Sequence, residues 1–430
     1  MATEGLIQAV RRLLGGMAFA HAFAAACVFA VAAALPPDGF GAYVLFLSLL
    51  WAAPHLHFGL QVAMEKEVPL VAARGETDWG RALVEASWAG VQGIAALVGV
   101  ALLLGALLTE GGMRAALLAG AAAVPCRQLM ELRVALARVV EDSRRATWLI
   151  TLATVAPMSG GLAGALLGGA EAACGLAAAG MVIATLATPG TPEQRVRPRW
   201  SAAPGRRLLA LGGPLYLTIA LDITMRVADR GIVVVLLGEA ALGQYGVASA
   251  AGWTPWLIAN AAGFFLLPRL LRDLGTGLGP ERWVVKPGLW IGLAVLLPCL
   301  ALALAGPPLI RHLLPGYEVG AEALLAVLPG VVARSLLLMP RYLLISLDDL
   351  RPLVLLAALA LGLNLAGDAW VIGQGHGVVG VAWVTTGAFL LYGASVTVYA
   401  LGRHLPRSLA LYSLGGAAAA GLSLAASLLL

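Results

Sequence analysis

Apolar runs of about twenty residues follow one another along almost the whole chain, separated by short clusters of charge. A helix of that length crosses the ~30 Å hydrocarbon core of a bilayer. The pattern predicts helices over 13–35, 41–63, 81–108, 113–138, 146–168 and 171–189. A polar stretch follows, and then helices over 207–236, 241–268, 284–306, 319–347, 352–373 and 377–402. One more apolar run, 407–430, makes a thirteenth. The expected fold class is therefore an all-α, multi-pass membrane bundle.

Composition removes the soluble alternatives. Of the 430 residues 60% are hydrophobic and 12% charged, against roughly 25% charged in a soluble domain. The net charge of +5 does not point to nucleic acid, because the arginines sit at alternate helix ends. Cys27, Cys126, Cys174 and Cys299 are scattered singly through apolar segments, a spacing that offers neither a metal framework nor a disulfide pattern. Arg11 and Arg12 precede a long apolar run that reads as the first span rather than a cleaved signal.

The basic clusters set an orientation. They occupy the N-terminus (Arg11, Arg12), the loop after the second span (Lys66, Arg74, Arg81), the loop after the fourth (Arg138, Arg144, Arg145) and the central stretch (Arg195, Arg197, Arg199, Arg206, Arg207). In the second half they follow the eighth span (Arg269, Arg272, Arg282, Lys286), the tenth (Arg351) and the twelfth (Arg403, Arg407). Every second loop is basic, so the positive-inside rule predicts a cytoplasmic N-terminus in a cell membrane. Arg114 and Arg311 are the exceptions.

The Pro- and Arg-rich stretch divides the chain. We expect a first six-helix bundle over 1–190, a linker over 191–206, a second bundle over 207–404 and the extra helix over 405–430. Gly41-Ala42-Tyr43 recurs as Gly243-Gln244-Tyr245, 202 residues on, and Arg127 recurs as Arg334 after 207. Two halves crossing in the same order predict a repeat about an axis along the membrane normal, a plan that transporters use to build an alternately opening cavity.

Enzyme motifs are absent: there is no Gly-x-x-x-x-Gly-Lys, no His-Glu-x-x-His and no Gly-x-Ser-x-Gly. The glycine-rich run Gly160–Gly169 reads as close helix packing. The informative residues are charges inside predicted spans, since an arginine at the bilayer centre costs about 2.5 kcal/mol or more on insertion scales and seeks a partner or a wet cavity. Arg127, Arg226, Arg230 and Arg334 are the candidates for a cargo-binding cavity. Asp222, four residues before Arg226, and Asp229 are candidates for holding or resetting them. Arg127 has Glu131 one turn on, whereas Arg334 has no acid nearby on its own helix and so is free to grip a phosphate with two parallel bonds. The alternative is that these arginines pair with acids on neighbouring helices and only fix the packing. His21 is a candidate for proton coupling or a hydrogen-bonded packing residue; His55 and His57, two apart, do not form a metal pair. Pro125, Pro157, Pro214, Pro255 and Pro298 also fall inside predicted helices, and Pro329 and Pro340, flanking Arg334, mark the candidate bending element.

These features resemble the polysaccharide-type flippases of the multidrug/oligosaccharidyl-lipid/polysaccharide superfamily. The resemblance is carried by Gly213-Pro214-Leu215, Asp229-Arg230-Gly231-Ile232, Leu237-Gly238, Leu242-Gly243-Gln244-Tyr245 and Val247-Ala248. In the first half Phe40-Gly41-Ala42-Tyr43, Gly59-Leu60 and Arg74-Gly75-Glu76 match, and late in the second Gly377-Val378-Val379-Gly380-Val381-Ala382. It covers nearly the whole chain and implies a MATE-like fold and alternating-access flipping of a polyprenyl-pyrophosphate glycan, with no enzymatic activity. It implies no cofactor, coupling to membrane potential or to a proton or sodium gradient, and polymerase and glycosyltransferase partners. Two departures stand out. Members often have fourteen helices, where thirteen are predicted here. Drug antiporters of the superfamily rely on acids in their first helix, which here has none. The alternatives are a multidrug or small-solute antiporter of the same fold, a membrane scaffold for glycan synthesis, and an unrecognised membrane enzyme.

Overall fold

The computed structural model describes residues 2–140, 142–189, 197–275 and 279–429, with the side chains of 2–14, 264, 268 and 275 left aside. Arg195 and the side chains of Arg11 and Arg12 thus fall outside the described residues, as does part of the expected linker. Every long element among the described residues is an α-helix. In chain order they are α1 (Ala2–Ala34), α2 (Pro37–Ala52), α3 (Leu60–Ala73), α4 (Thr77–Leu107), α5 (Gly111–Val139), α6 (Ser143–Ala187), α7 (Ala202–Leu237), α8 (Glu239–Gly252), α9 (Trp256–Gly275), α10 (Glu281–Leu313), α11 (Glu318–Ser346), α12 (Leu350–Gly373), α13 (Gly377–His404) and α14 (Pro406–Leu429).

Among the described residues, ten helical segments are long and apolar enough to cross a membrane, and an eleventh results if the bent pair α8 and α9 is one span. Counting α6 as two arms and adding the more charged α5 gives thirteen passes, the predicted number. The protein is a multi-pass membrane protein.

Three predicted stretches differ in form from the expectation. The span 41–63 is not continuous. Pro54 lies in a 3₁₀ turn over Ala53–His55, and the chain restarts only at Leu60, after Phe58 (φ 46°) and Gly59 (φ 86°). His55 and His57 therefore lie in the break and not on a long helix. Helix α3 then runs on to Ala73. The span 241–268 bends by 52° at residues 253–255, where Pro255 lacks the N–H a continuing helix needs. Spans 146–168 and 171–189 form one run, α6, interrupted only at Gly168 and Gly169. Gly169 (φ 75°, ψ −157°) takes a backbone conformation essentially reserved for glycine. Its two arms fold back on each other so closely that a Cβ at Gly160 would collide with the Leu176 carbonyl, and one at Gly164 with that of Ala172. The glycine-rich run is packing, as its composition suggests.

The chain forms two compact units, Met1–Ala220 and Leu221–Leu430, and the dividing point falls inside α7. In the first, Leu60, Met64 and Val71 of α3 pack with Leu83 of α4, Leu132 of α5 and Leu208 of α7. Arg207 holds this start of α7 to α3, its Nε and Nη2 donating to Glu67 Oε1 at 3.1 and 2.8 Å. In the second, α11 is the central helix. It packs against α8, α9, α10, α13 and α14, and almost all of it from Gly320 to Leu344 is buried. Arg334 and Ser335 are among those buried residues, so the middle of the most enclosed helix carries a charge.

Candidate functional site

That charge is paired. Arg334 Nη1 and Nη2 donate to Asp222 Oδ1 and Oδ2, both at 2.6 Å, in a bidentate bridge between α11 and α7. The expectation of an unpartnered guanidinium at Arg334 is therefore corrected: its acid comes from a neighbouring helix, where spacing along its own helix could not reveal it. The guanidinium also lies 4.6 Å from the ring centre of Trp256, 5.4 Å from Phe389 and 5.9 Å from Trp253. Aromatic faces replace part of the hydration lost on burial, and the side chain is 3% exposed.

Asp222 is shared. Arg341 Nη1 lies 3.4 Å from Asp222 Oδ2, and Arg226 Nη2 lies 4.0 Å from the same oxygen. Three guanidiniums thus face one carboxylate, a formal excess of two positive charges within the group. Their roles are unequal. Arg334 holds both carboxylate oxygens, whereas Arg341 and Arg226 make longer single contacts and are 13% and 31% exposed. The Nε atoms of Arg226, Arg334 and Arg341 are buried and have no hydrogen-bond partner among the described residues. Such a group has spare donors and charge for an anion, and guanidinium forks suit phosphate oxygens.

A second polar set lies in the same unit. Asp229, 2% exposed, accepts from the Tyr245 hydroxyl and from the Arg230 backbone N–H at 2.8 Å, and lies beside the Thr385 hydroxyl. On α12, Asn364 and Asp368 are wholly buried. Asn364 Nδ2 donates to Asp368 Oδ2 at 3.4 Å and to Thr385 Oγ1 at 3.3 Å, so Asn364 ties Asp368 to Thr385 of α13, beside Asp229. Asp229 and Asp368 are close enough to repel each other electrostatically. Asp368 Oδ1 and Asn364 Oδ1 have no hydrogen-bond partner among the described residues. Two carboxylates, an amide oxygen and a hydroxyl can hold a proton or take a hard cation, which prefers oxygen donors.

The other candidates fall elsewhere. Arg230 Nη2 donates to Ser249 Oγ of α8 at 3.3 Å and is not among the partners of Asp222. Arg127 lies in the first unit, 3.9 Å from Glu131, which in turn bonds Arg138 at 3.1 Å; Arg138 also reaches Glu65 of α3 at 3.2 Å. That network matches two acids with two arginines and leaves no formal excess. His21 Nδ1 is 2.7 Å from the Met17 carbonyl of its own helix. His57 is buried, accepts the Gly59 N–H through Nδ1 and packs on Tyr216. The repeated tyrosines diverge. Tyr43 sits against Gly161 and Met158, whereas Tyr245 binds Asp229.

Four residues escape the sequence reading: Arg341, Asn364, Asp368 and Thr385. Arg341 lies seven residues after Arg334, two turns along one helix face. Asn364 and Asp368 form an i, i+4 pair within an apolar helix. The rule that singles out the other intramembrane charges would have found Arg341 and Asp368, but not the uncharged Asn364 and Thr385.

No protein-family model matches the chain, and no curated protein matches it. Solved structures do. The lipid II flippase MurJ in an inward closed conformation aligns with a TM-score of 0.71 over 94% of this chain and 90% of that one, at 12% identity. An inward-facing multidrug-resistance MATE transporter of the MOP superfamily aligns at 0.68 over 91% and 95%, again at 12% identity. A mutant of the Vibrio cholerae MATE transporter VcmN aligns at 0.60 over 95% and 98%, at 17% identity. The chain therefore has the MATE-like fold of that superfamily.

Proposed function

We propose that the protein is a transporter that flips an anionic, lipid-linked cargo, a polyprenyl-pyrophosphate glycan, across the cytoplasmic membrane. The observation that carries this reading is the excess of guanidinium over carboxylate around Asp222. The fold is common to a lipid II flippase and to multidrug transporters, and charge discriminates between their cargoes. A cationic drug is repelled by a buried site with two surplus positive charges, whereas a pyrophosphate is attracted to it. In this reading Arg226 and Arg341 receive the head group, and the Asp222–Arg334 pair fixes the helices that present them. The prenyl tail stays in lipid, and alternating access moves the head. With the N-terminus cytoplasmic, the membrane potential favours outward movement by about 2.3 kcal/mol per negative charge per 100 mV. Glycan polymerase and glycosyltransferase partners follow from that cargo.

The Asp229–Asp368 set supports a coupling role, with a proton or sodium ion bound and released there each cycle. Asp368→Asn is expected to leave cargo binding intact while removing the dependence of transport on the cation gradient, measured in vesicles with imposed proton or sodium gradients. Unaltered gradient dependence would exclude these acids as the coupling site. The same two acids favour a second reading, a cation-coupled antiporter of small solutes.

Depletion of the protein in its native host separates the readings. Mass spectrometry of extracted lipids should show lipid-linked glycans accumulating when it is depleted. Unchanged glycan levels, together with new sensitivity to cationic drugs, would establish the antiporter instead.

A further inference from the structure

Helix α11 contains two prolines, Pro329 and Pro340, and a proline leaves the carbonyl four residues earlier without its helical partner. For Pro340 that carbonyl belongs to Leu336. It is not left bare: the hydroxyl of Tyr412, on α14, donates to Leu336 O at 2.6 Å. Tyr412 is 1% exposed, its ring fits against Gly288 of α10, where a Cβ would collide with it, and Ser408 one turn earlier donates to Glu281 of α10. Near the other proline, Thr386 of α13 donates to the Ala326 carbonyl at 2.6 Å, one residue past Leu325, whose carbonyl Pro329 releases. A side chain from a neighbouring helix thus meets the carbonyl that Pro340 releases.

The position of Pro340 matters. It falls between Arg334 and Arg341, whose Cα atoms in a straight helix stand about 10 Å apart along the axis. Both guanidiniums nevertheless reach the same carboxylate, Asp222. The path of α11 between them sets how far each side chain must reach to meet it.

We propose that Tyr412 is a positioning residue: by bonding the carbonyl that Pro340 releases, α14 fixes the path of α11 between Arg334 and Arg341 and so holds Arg341 at Asp222. Helix α14 is then a brace for the basic cluster rather than a lipid-facing addition. The brace itself is independent of the cargo; its consequence for transport rests on the function proposed above.

Spin labels at Leu347, at the end of α11, and Leu411, on α14, both exposed, read that path directly by pulsed electron–electron distance measurement. In Tyr412→Phe the distance should shift by about 3–4 Å, the swing of a two-turn arm through a proline-sized kink. In Pro340→Ala the backbone N–H at 340 can bond Leu336 O again, so adding Tyr412→Phe to that background should change nothing further. Ser423→Ala, a buried change elsewhere on α14, should leave the distance at the wild-type value. If Tyr412→Phe does not fold, recovery by Pro340→Ala supports the brace and failure to recover overturns it. A wild-type distance in folded Tyr412→Phe, or an equal shift from the tyrosine change in both backgrounds, also overturns it. The distance shift with its suppression, in a protein that fails to move anionic lipids, would sink the transport reading and leave the brace standing.

Discussion

Asp222→Asn is expected to destabilise the protein by about 3–5 kcal/mol, the cost of breaking a buried ion pair and leaving its partner uncompensated. The effect should be at the upper end of that range, because Asp222 is the common acid of three arginines. Removing it leaves Arg334 buried beneath aromatic rings with no acid, and leaves Arg226, Arg334 and Arg341 repelling one another. The measurement is thermal unfolding in detergent, followed by tryptophan fluorescence. Arg334→Met should also destabilise, since Asp222 loses its bidentate partner, but by less, because Arg341 and Arg226 remain beside it. Combining Asp222→Asn with Arg334→Met should cost clearly less than the sum of the two single changes, a coupling of about 2–3 kcal/mol. Additive losses would mean that the two residues stabilise the fold independently.

Arg226 and Arg341 should behave in the opposite way. Changing both to glutamine removes two like charges from a group with surplus positive charge and leaves the Asp222–Arg334 bridge intact. Stability should be unchanged or slightly raised. Cargo recognition should fall by about 3–6 kcal/mol if each arginine gives one charge-assisted bond to a phosphate oxygen, at least about a hundredfold. Complementation of a depletion strain, with membrane protein levels checked by immunoblot, tests this. Normal growth and glycan levels in Arg226→Gln/Arg341→Gln would remove these residues from the cargo site. The contrast between the pairs is diagnostic: one set changes stability, the other changes function.

Much of this arrangement is legible in the chain itself, and the gaps have physical causes. Helix number follows from apolar run length, since lipid tolerates little else. Breaks within spans are harder to place. Pro54 and Pro255 sit at real interruptions, but Pro125, Pro157, Pro214 and Pro298 lie in helices that continue, so proline alone does not locate a break. Gly169 marks another break, and Gly59 the far end of the Pro54 one, through positive-φ backbone conformations that side chains rarely adopt. Charges inside spans are visible as candidates, and Asp222, Arg226 and Arg334 do meet. What a one-dimensional pattern cannot supply is the partner across helices. With no acid near it on α11, Arg334 reads as free in the sequence, while its acid stands on α7. Conversely, Asp368 and Asn364 read as two polar residues in an apolar helix, and only the fold joins them to Asp229 through Thr385.

The central claim is that the surplus positive charge at Asp222 serves an anionic lipid-linked head group. Purified protein in proteoliposomes, given a polyprenyl-pyrophosphate oligosaccharide with a fluorescent glycan, tests it most directly, with translocation read by the loss of fluorescence to a membrane-impermeant quencher. Wild-type protein should translocate the pyrophosphate lipid, excess inorganic pyrophosphate should compete, and Arg226→Gln/Arg341→Gln should reduce the rate to that of empty vesicles. Translocation by the double variant at the wild-type rate, or transport of a cationic dye in place of the pyrophosphate lipid, would contradict the account.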